Sequence, residues 1–260
     1  MLTNQRGAAA VARWRYRSGC LLSWRLRSVP VCASTEDELS AWLQTHPWDG
    51  GLPRAVIASH QTNGQGQWGR RWQSPQGGVW LSAALPWPAS CSAPGILGLA
   101  MALALAERLE PMGVPVVIKW PNDLLVQGRK LAGILPRMVI RGSQVRLARV
   151  GLGLNVANAV PPGAIALRHC PSRHPLRTNR RCFWTAEVLA ALDRTRSLAL
   201  DPELVCEATE ARLWARQVQD PVSGEAWRVD GLRADGALLL SQGARTTSWT
   251  RWEAPLEPGL

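Results

Sequence analysis

The stretch NGQGQWGRRWQSPQGG, residues 63–78, decides between two architectures. It contains Gly64-x-Gly66-x-x-Gly69, the glycine spacing of a dinucleotide-binding βαβ unit. That fingerprint works only when a strand enters the loop and a helix leaves it with its N-terminus aimed at pyrophosphate. The entry fits, because AVIASHQT (55–62) suits a buried strand. The exit does not: Arg70, Arg71, Trp72, Ser74, Pro75 and the pair Gly77-Gly78 follow, and proline with paired glycines breaks a helix. After the loop, no apolar stripe of helical period begins until residue 96. What remains is a glycine-rich loop with two adjacent arginines and two tryptophans. Glycines admit backbone N–H groups close to an anion, arginine matches phosphate or carboxylate, and an indole can cover a flat or apolar ligand. Such a loop can fold over a nucleotide; the alternative is a solvated loop with half-buried tryptophans, in a chain that has 14 of them.

Working outward, WRLRSVPVC (24–32) reads as a strand and STEDELSAWLQ (34–44) as a helix opened by a capping box from Thr35 to Glu38. Strands follow near 55–61, 78–85 and 114–120, with a buried helix at about 95–110 between the last two. KLAGILPRMVIR and VRLARVGLGL form a hairpin about Arg141-Gly142-Ser143, and helices return at 184–198 and 201–215. After Trp214 the texture changes to short alternating strands separated by Ala234-Asp235-Gly236 and Gln242-Gly243, the pattern of a small β-barrel.

At 260 residues with 46% hydrophobic content the chain can bury a real core. The net charge of +11 points toward acidic partners, but it is spread as arginine without a dense basic run. Six cysteines without a CxxC pair read as free thiols in a reducing compartment. His169, Cys170, His174 and Cys182 lack the compact pairwise spacing of a zinc site, so no metal ligands are assigned. The apolar run ILGLAMALALA (96–106) is too short to span a bilayer. The first 28 residues carry six arginines and no acid, which fits a transit peptide, a disordered extension or a start codon placed too early.

Of 30 basic residues only two are lysine, Lys119 and Lys130, and both stand in KWPNDLLVQGRK. A lysine pair in an arginine-rich chain points to a role for a compact ammonium on a flexible stem, such as neutralising a phosphate or carboxylate as it moves. Two leftover surface lysines are the plain alternative.

KWPNDLLVQGRKLAGIL (119–135), preceded by GQGQWGRRWQSPQGG (64–78) and followed by GLGLNV (151–156), resembles the catalytic domain of biotin protein ligases. The resemblance starts at STED (34–37) and covers about residues 24–200, with the C-terminal strands similar to that family's SH3-like module. It implies an α+β fold: a mixed, largely antiparallel sheet with helices on one side, plus a small C-terminal SH3-like β-barrel. The domains expected are a disordered basic extension (1–23), a catalytic domain (24–205) and the SH3-like domain (206–260).

The reaction implied uses ATP and Mg²⁺ to join the biotin carboxylate to AMP, then passes biotin to a lysine of a biotin carboxyl carrier protein, a subunit of acetyl-CoA carboxylase. By position, Lys130 would contact the biotin carboxylate and acyl phosphate, Arg70 the ATP phosphates, and residues 64–71 would close over the intermediate. Ser34, Thr35 and Gln61 would bind the ureido ring, with Glu36, Gln65, Gly66, Gln67 and Gly133 also around biotin. Gly64, Trp72, Asn122 and Asn155 fall on the nucleotide side, Trp72 as an apolar wall and Asn155 on the adenine edge. Asp123 would hold or deprotonate the acceptor lysine, and Lys119 would support the site from a step further away. For Asn155 the plain alternative is a buried, hydrogen-bonded strand-end residue.

Gln65 and Gln67 stand where many members of that family have arginine, and Glu36 where asparagine is usual, so the loop offers hydrogen bonds with less charge. Lipoate ligase chemistry, a non-catalytic biotin-binding module and a nucleic-acid-binding regulator are the rival readings. The last lacks an N-terminal DNA-binding domain. A cytoplasmic enzyme without nucleic-acid or membrane partners is expected, and a homodimer is compatible with the sequence.

Overall fold

The computed structural model describes residues 9–13, 15, 19, 22–88, 94–142, 144–172 and 175–250. Cys20, Cys91, Ser143, His174 and residues 251–260 of the expected C-terminal module lie outside them.

The elements run β1 (Arg25–Cys32), α1 (Thr35–Thr45), β2 (Arg54–Gln65), β3 (Arg71–Ser74), β4 (Val79–Leu85), α2 (Pro94–Leu109), β5 (Val117–Lys119), β6 (Asp123–Val126), β7 (Arg129–Arg141) and β8 (Gln144–Leu154). Then come α3 (Arg181–Leu198), α4 (Pro202–Glu210), β9 (Gln217–Gln219), β10 (Ala226–Leu232), β11 (Leu238–Gln242) and β12 (Arg245–Trp249). The main sheet has the order β1-β2-β4-β8-β7-β6-β5, with β3 paired onto β2. Only β1 and β2, joined through α1, are parallel; the other pairs are antiparallel. This is the mixed, largely antiparallel α+β sheet expected.

Strand alternation sends successive side chains to opposite faces. On one face Ala55, Ile57, Leu81, Ala83, Val150 and Leu152 join a large core with α2, α3 and α4. On the other, Val56, Ala58, Ala84 and Leu147 pack against Leu39 and Trp42 of α1. α2, α3 and α4 therefore share one face, while α1 covers part of the opposite face and leaves the rest open. That uncovered stretch is where a ligand can lie. α2 is apolar around its circumference and is buried without interruption from Ile96 through Ala106.

Several local expectations change. Ser34, not Thr35, caps α1: its Oγ accepts the Glu36 N–H at 3.1 Å. Thr35 is drawn instead to Gln61, whose Oε1 accepts the Thr35 N–H at 2.7 Å. Part of the stretch read as loop is strand, because β2 runs to Gln65 and turns back as β3. α4 ends at Glu210 rather than near 215, and Arg212 and Trp214 instead bond to Ile118 of β5. Residues 9–13 are helical and Val11 is buried in the main core, so the disorder expected for 1–23 does not extend to them.

The C-terminal strands form a four-stranded antiparallel sheet, β12-β11-β10-β9, rather than a closed barrel among the described residues. β9 has three residues and pairs only with β10, too little to close a ring. The boundary expected at 205/206 falls inside α4, which packs on the main core through Val205 and Cys206. The small sheet docks by its β10–β11 turn, where Gly236 O accepts the Trp120 Nε1–H at 2.9 Å.

Candidate active site

The open part of the α1 face is a cleft of about 360 Å³. Its floor is made by alternate residues of neighbouring strands. Gly151 of β8 lies between Ser82 and Leu135, and Gly153 lies opposite Gly133 of β7. Both glycines keep the floor low. A Cβ on Gly153 would stand 2.4 Å from Trp72 Cε2, and one on Gly133 would stand 2.8 Å from Cζ3 of the same ring. The Trp72 indole thus rests on bare backbone, edge-on to buried Trp80 at 6.5 Å. Its Nε1–H is buried without a hydrogen-bond partner.

Beside Gly151 is a polar cluster. Thr35 Oγ1 is 3.0 Å from Gln61 Oε1 and 2.9 Å from Ser82 Oγ, and Gln61 Nε2 donates to Ser74 Oγ at 2.7 Å. The cap of α1 brings Ser34 and Glu36 to the same end. Hydroxyls keep spare donor and acceptor capacity, so this end suits a small ring that carries N–H and C=O groups.

Beside Gly153 the charge changes. Lys130 Nζ lies 2.7 Å from Asp123 Oδ2 and 5.0 Å from the Trp72 ring. Asp123 Oδ1 is buried and has no partner. A carboxylate oxygen desolvated without a donor is costly, so a ligand donor at that point would be strongly favoured. The mouth is formed by Gln65, Gly66, Gln67 and Arg70, where Trp68 (φ 61°) and Gly69 (φ 73°) make a left-handed turn. Arg70 is exposed, and Gln65 Nε2 donates to Asp37 Oδ1 at 3.0 Å.

Of the residues singled out in the sequence, Ser34, Thr35, Glu36, Gln61, Gln65, Gly66, Gln67, Arg70, Trp72, Asn122, Asp123, Lys130, Gly133 and Asn155 all line this cleft. Lys119 does not. It is exposed and its ammonium sits 5.7 Å from the Trp214 ring, so only one lysine of the pair reaches the site. Gly64 stands behind the wall: a Cβ there would be 2.5 Å from the Trp72 carbonyl oxygen, so its role is close strand packing. Asn155 donates to Lys130 O at 3.4 Å and accepts from Asn158 at 2.9 Å, which is the bonding of a buried strand-end residue. Asn122 is tied to Ile134 by both main chain and side chain.

Sequence reading missed Ser82, Arg149 and the segment 161–164. Ser82 had a signal, a polar residue inside the apolar run VWLSAAL. The segment 161–164 had none, and is held at the cleft because Gly163 O accepts the Lys130 N–H at 2.9 Å. Around His169, Cys170 and Cys182 no metal cluster of three ligands forms among the described residues. Burial pushes the Cys170 thiol up to about 11, away from the thiolate a metal needs.

Residues 30–155 match the model of the biotin/lipoate A/B protein ligase family. The bifunctional ligase/repressor BirA of Escherichia coli is 31% identical over 213 residues, 78% of this chain and 66% of that protein. The biotin–[acetyl-CoA-carboxylase] ligase of Paracoccus denitrificans is 37% identical over 113 residues, 42% of this chain and 47% of that protein. BirA of Bacillus subtilis is 39% identical over 103 residues, 39% of this chain and 32% of that protein, so the alignments span from a third to about two thirds of these relatives. In fold, the Aquifex aeolicus biotin protein ligase in complex with biotin and ATP superposes with a TM-score of 0.69 at 22% identity, over 88% of this chain and 97% of that one. With the matched segment carrying the strands, glycines and lysine that build the cleft, residues 30–155 of the chain are a domain of the biotin/lipoate A/B protein ligase family.

Proposed function

We propose that this protein is an ATP-dependent biotin protein ligase. It joins the biotin carboxylate to AMP with release of pyrophosphate, then passes the biotinyl group to a lysine amine of a biotin carboxyl carrier protein with release of AMP. The observation that carries this reading is the Lys130–Asp123 pair at 2.7 Å, with Asp123 Oδ1 unpartnered, one strand step from a neutral polar cluster on a glycine floor. The names of the relatives from E. coli and P. denitrificans support it.

The polar cluster of Thr35, Gln61 and Ser82 suits a ureido ring, and the Trp72 wall suits an apolar body and chain. In the first step two anions must approach each other, and the Lys130 ammonium offsets their repulsion where charge builds up. Once a substrate carboxylate engages Lys130, Asp123 is released from that pairing. Its carboxylate can then take the proton from the acceptor ammonium or amine as nitrogen attacks the acyl carbon and the acyl–phosphate bond breaks. Mg²⁺ supplies charge on the nucleotide phosphates, and it needs few protein ligands because it keeps several waters.

The test is pyrophosphate release with ATP, Mg²⁺ and either biotin or lipoate. Release with biotin is expected; release with lipoate alone would assign the other branch of the family, and release with neither would overturn the ligase reading.

The mouth residues 66–70 form a lid in this reading. Trypsin should cut after exposed Arg70 or Arg71 in the free protein and be blocked by biotin plus ATP; equal cutting in both states would remove the lid. Arg70→Ala should weaken adenylate formation about tenfold, a modest loss because the guanidinium is solvent-exposed. Gly153→Ala should displace the Trp72 indole and lower biotin affinity about tenfold, measured by calorimetry. Unchanged affinity would mean that Trp72 is no wall of the biotin site.

A further inference from the structure

We propose that Arg149, acting through Glu36, is a positioning residue that sets the polar end of the cleft and thereby biotin affinity; this rests on the ligase reading above. Glu36 lies in the first turn of α1, yet its side chain is only 7% exposed. A helix N-terminus favours acids without burying them, and Asp37 and Glu38 already serve that purpose from less buried positions. A buried carboxylate needs a specific partner.

That partner is Arg149 of β8, whose own side chain is 12% exposed. Its Nη2 lies 2.7 Å from Glu36 Oε1, 3.2 Å from Glu36 O and 2.7 Å from Ser40 Oγ. One guanidinium therefore ties a carboxylate, a carbonyl and a hydroxyl of the first two turns of α1 to the sheet. Arg137 of β7 is paired in register directly beside Arg149, and its Nη1 stands 4.0 Å from the same Glu36 oxygen. Two arginines side by side on one sheet face repel, and Glu36 is the anion that makes their placement tolerable.

The consequence lies one residue away. Ser34 caps α1 and Thr35 opens it, so the seat of α1 on β8 determines where Thr35 meets Gln61 and Ser82. Arg149 is also one alternation before Gly151, the floor beside Ser82. It lies outside the residues that line the cleft, so it acts through Glu36 rather than on a ligand.

The test is steady-state pyrophosphate release, with biotin varied at saturating ATP and ATP varied at saturating biotin. The double variant Glu36→Gln/Arg149→Met removes both charges together, leaving neither buried alone. It should raise the KM for biotin about tenfold, with the change falling on KM rather than kcat and the KM for ATP moving less than about twofold. Arg149→Lys keeps the charge pair but loses the fork, and should give an intermediate rise of about threefold. If the double variant fails to fold by circular dichroism, Arg149→Lys decides. An unchanged biotin KM in a folded variant overturns the positioning role, and so does a fall in kcat with KM unchanged. Absence of biotin-dependent release from the unaltered protein would instead overturn the ligase reading itself.

Discussion

Lys130→Arg is expected to lower biotin-dependent pyrophosphate release about a hundredfold, a loss of about 3 kcal/mol of transition-state stabilisation. Charge is conserved in this variant, so the loss comes from shape. Lys130 Nζ is held 2.7 Å from Asp123 Oδ2 and 5.0 Å from the Trp72 ring. Behind it the Gly133 backbone is so close that a Cβ there would be 3.1 Å from Nζ. A broad planar guanidinium does not fit between a carboxylate, an indole and bare backbone without moving one of them. Lys119→Arg is the control. Its ammonium stands over Trp214 outside the cleft, and an arginine can stack there equally well, so activity should stay within about twofold. Near-normal activity in Lys130→Arg would reduce the ammonium to a surface charge and remove the main chemical argument for the site.

Asp123→Asn should act on the second half-reaction. Transfer from preformed biotinyl-AMP to the carrier lysine should slow about a hundredfold, the lower range for loss of a positioned base. Adenylate formation should fall less, about tenfold, from loss of the charged partner that orients Lys130. The amide keeps the size of the side chain, and Oδ1 is the atom without a partner, so the vacant acceptor position is the one tested. Rapid-quench measurement of the two half-reactions separates the effects. Equal losses in both would make Asp123 an orienting partner of Lys130 and nothing more.

Much of the architecture was legible because its signals are local. The run of Pro75 and Gly77-Gly78 after the glycine loop excluded a helix there, and the structure places β3 and a turn in that stretch. The all-apolar run at 96–106 could only be a buried helix, and it became the centre of the main core. Ser34, Thr35 and Gln61, singled out together in the sequence, meet across α1 and β2 at one end of the cleft.

Other features depend on partners distant in the chain. Lys119 and Lys130 look equivalent in KWPNDLLVQGRK, but contact with Trp214 draws one out of the site while Asp123 holds the other in it. Asn155 carries no sequence mark that distinguishes a ligand-reading amide from one bonded to Lys130 and Asn158. Arg149 is one arginine among many, and only the register of β8 against β7 sets it beside Arg137 and under Glu36.

The sequence by itself determined most of the longer strands and helices, the exclusion of a dinucleotide fold and the segments that build the cleft, because periodicity, turn residues and glycines act over a few neighbours; the short strands β3 and β6 carried no such signal. Tertiary structure alone decided which lysine lies in the cleft, which polar residues are already satisfied, and how α1 is seated. Those outcomes follow from strand register and cross-sheet pairing, in which a side chain's role is set by the residue that happens to face it.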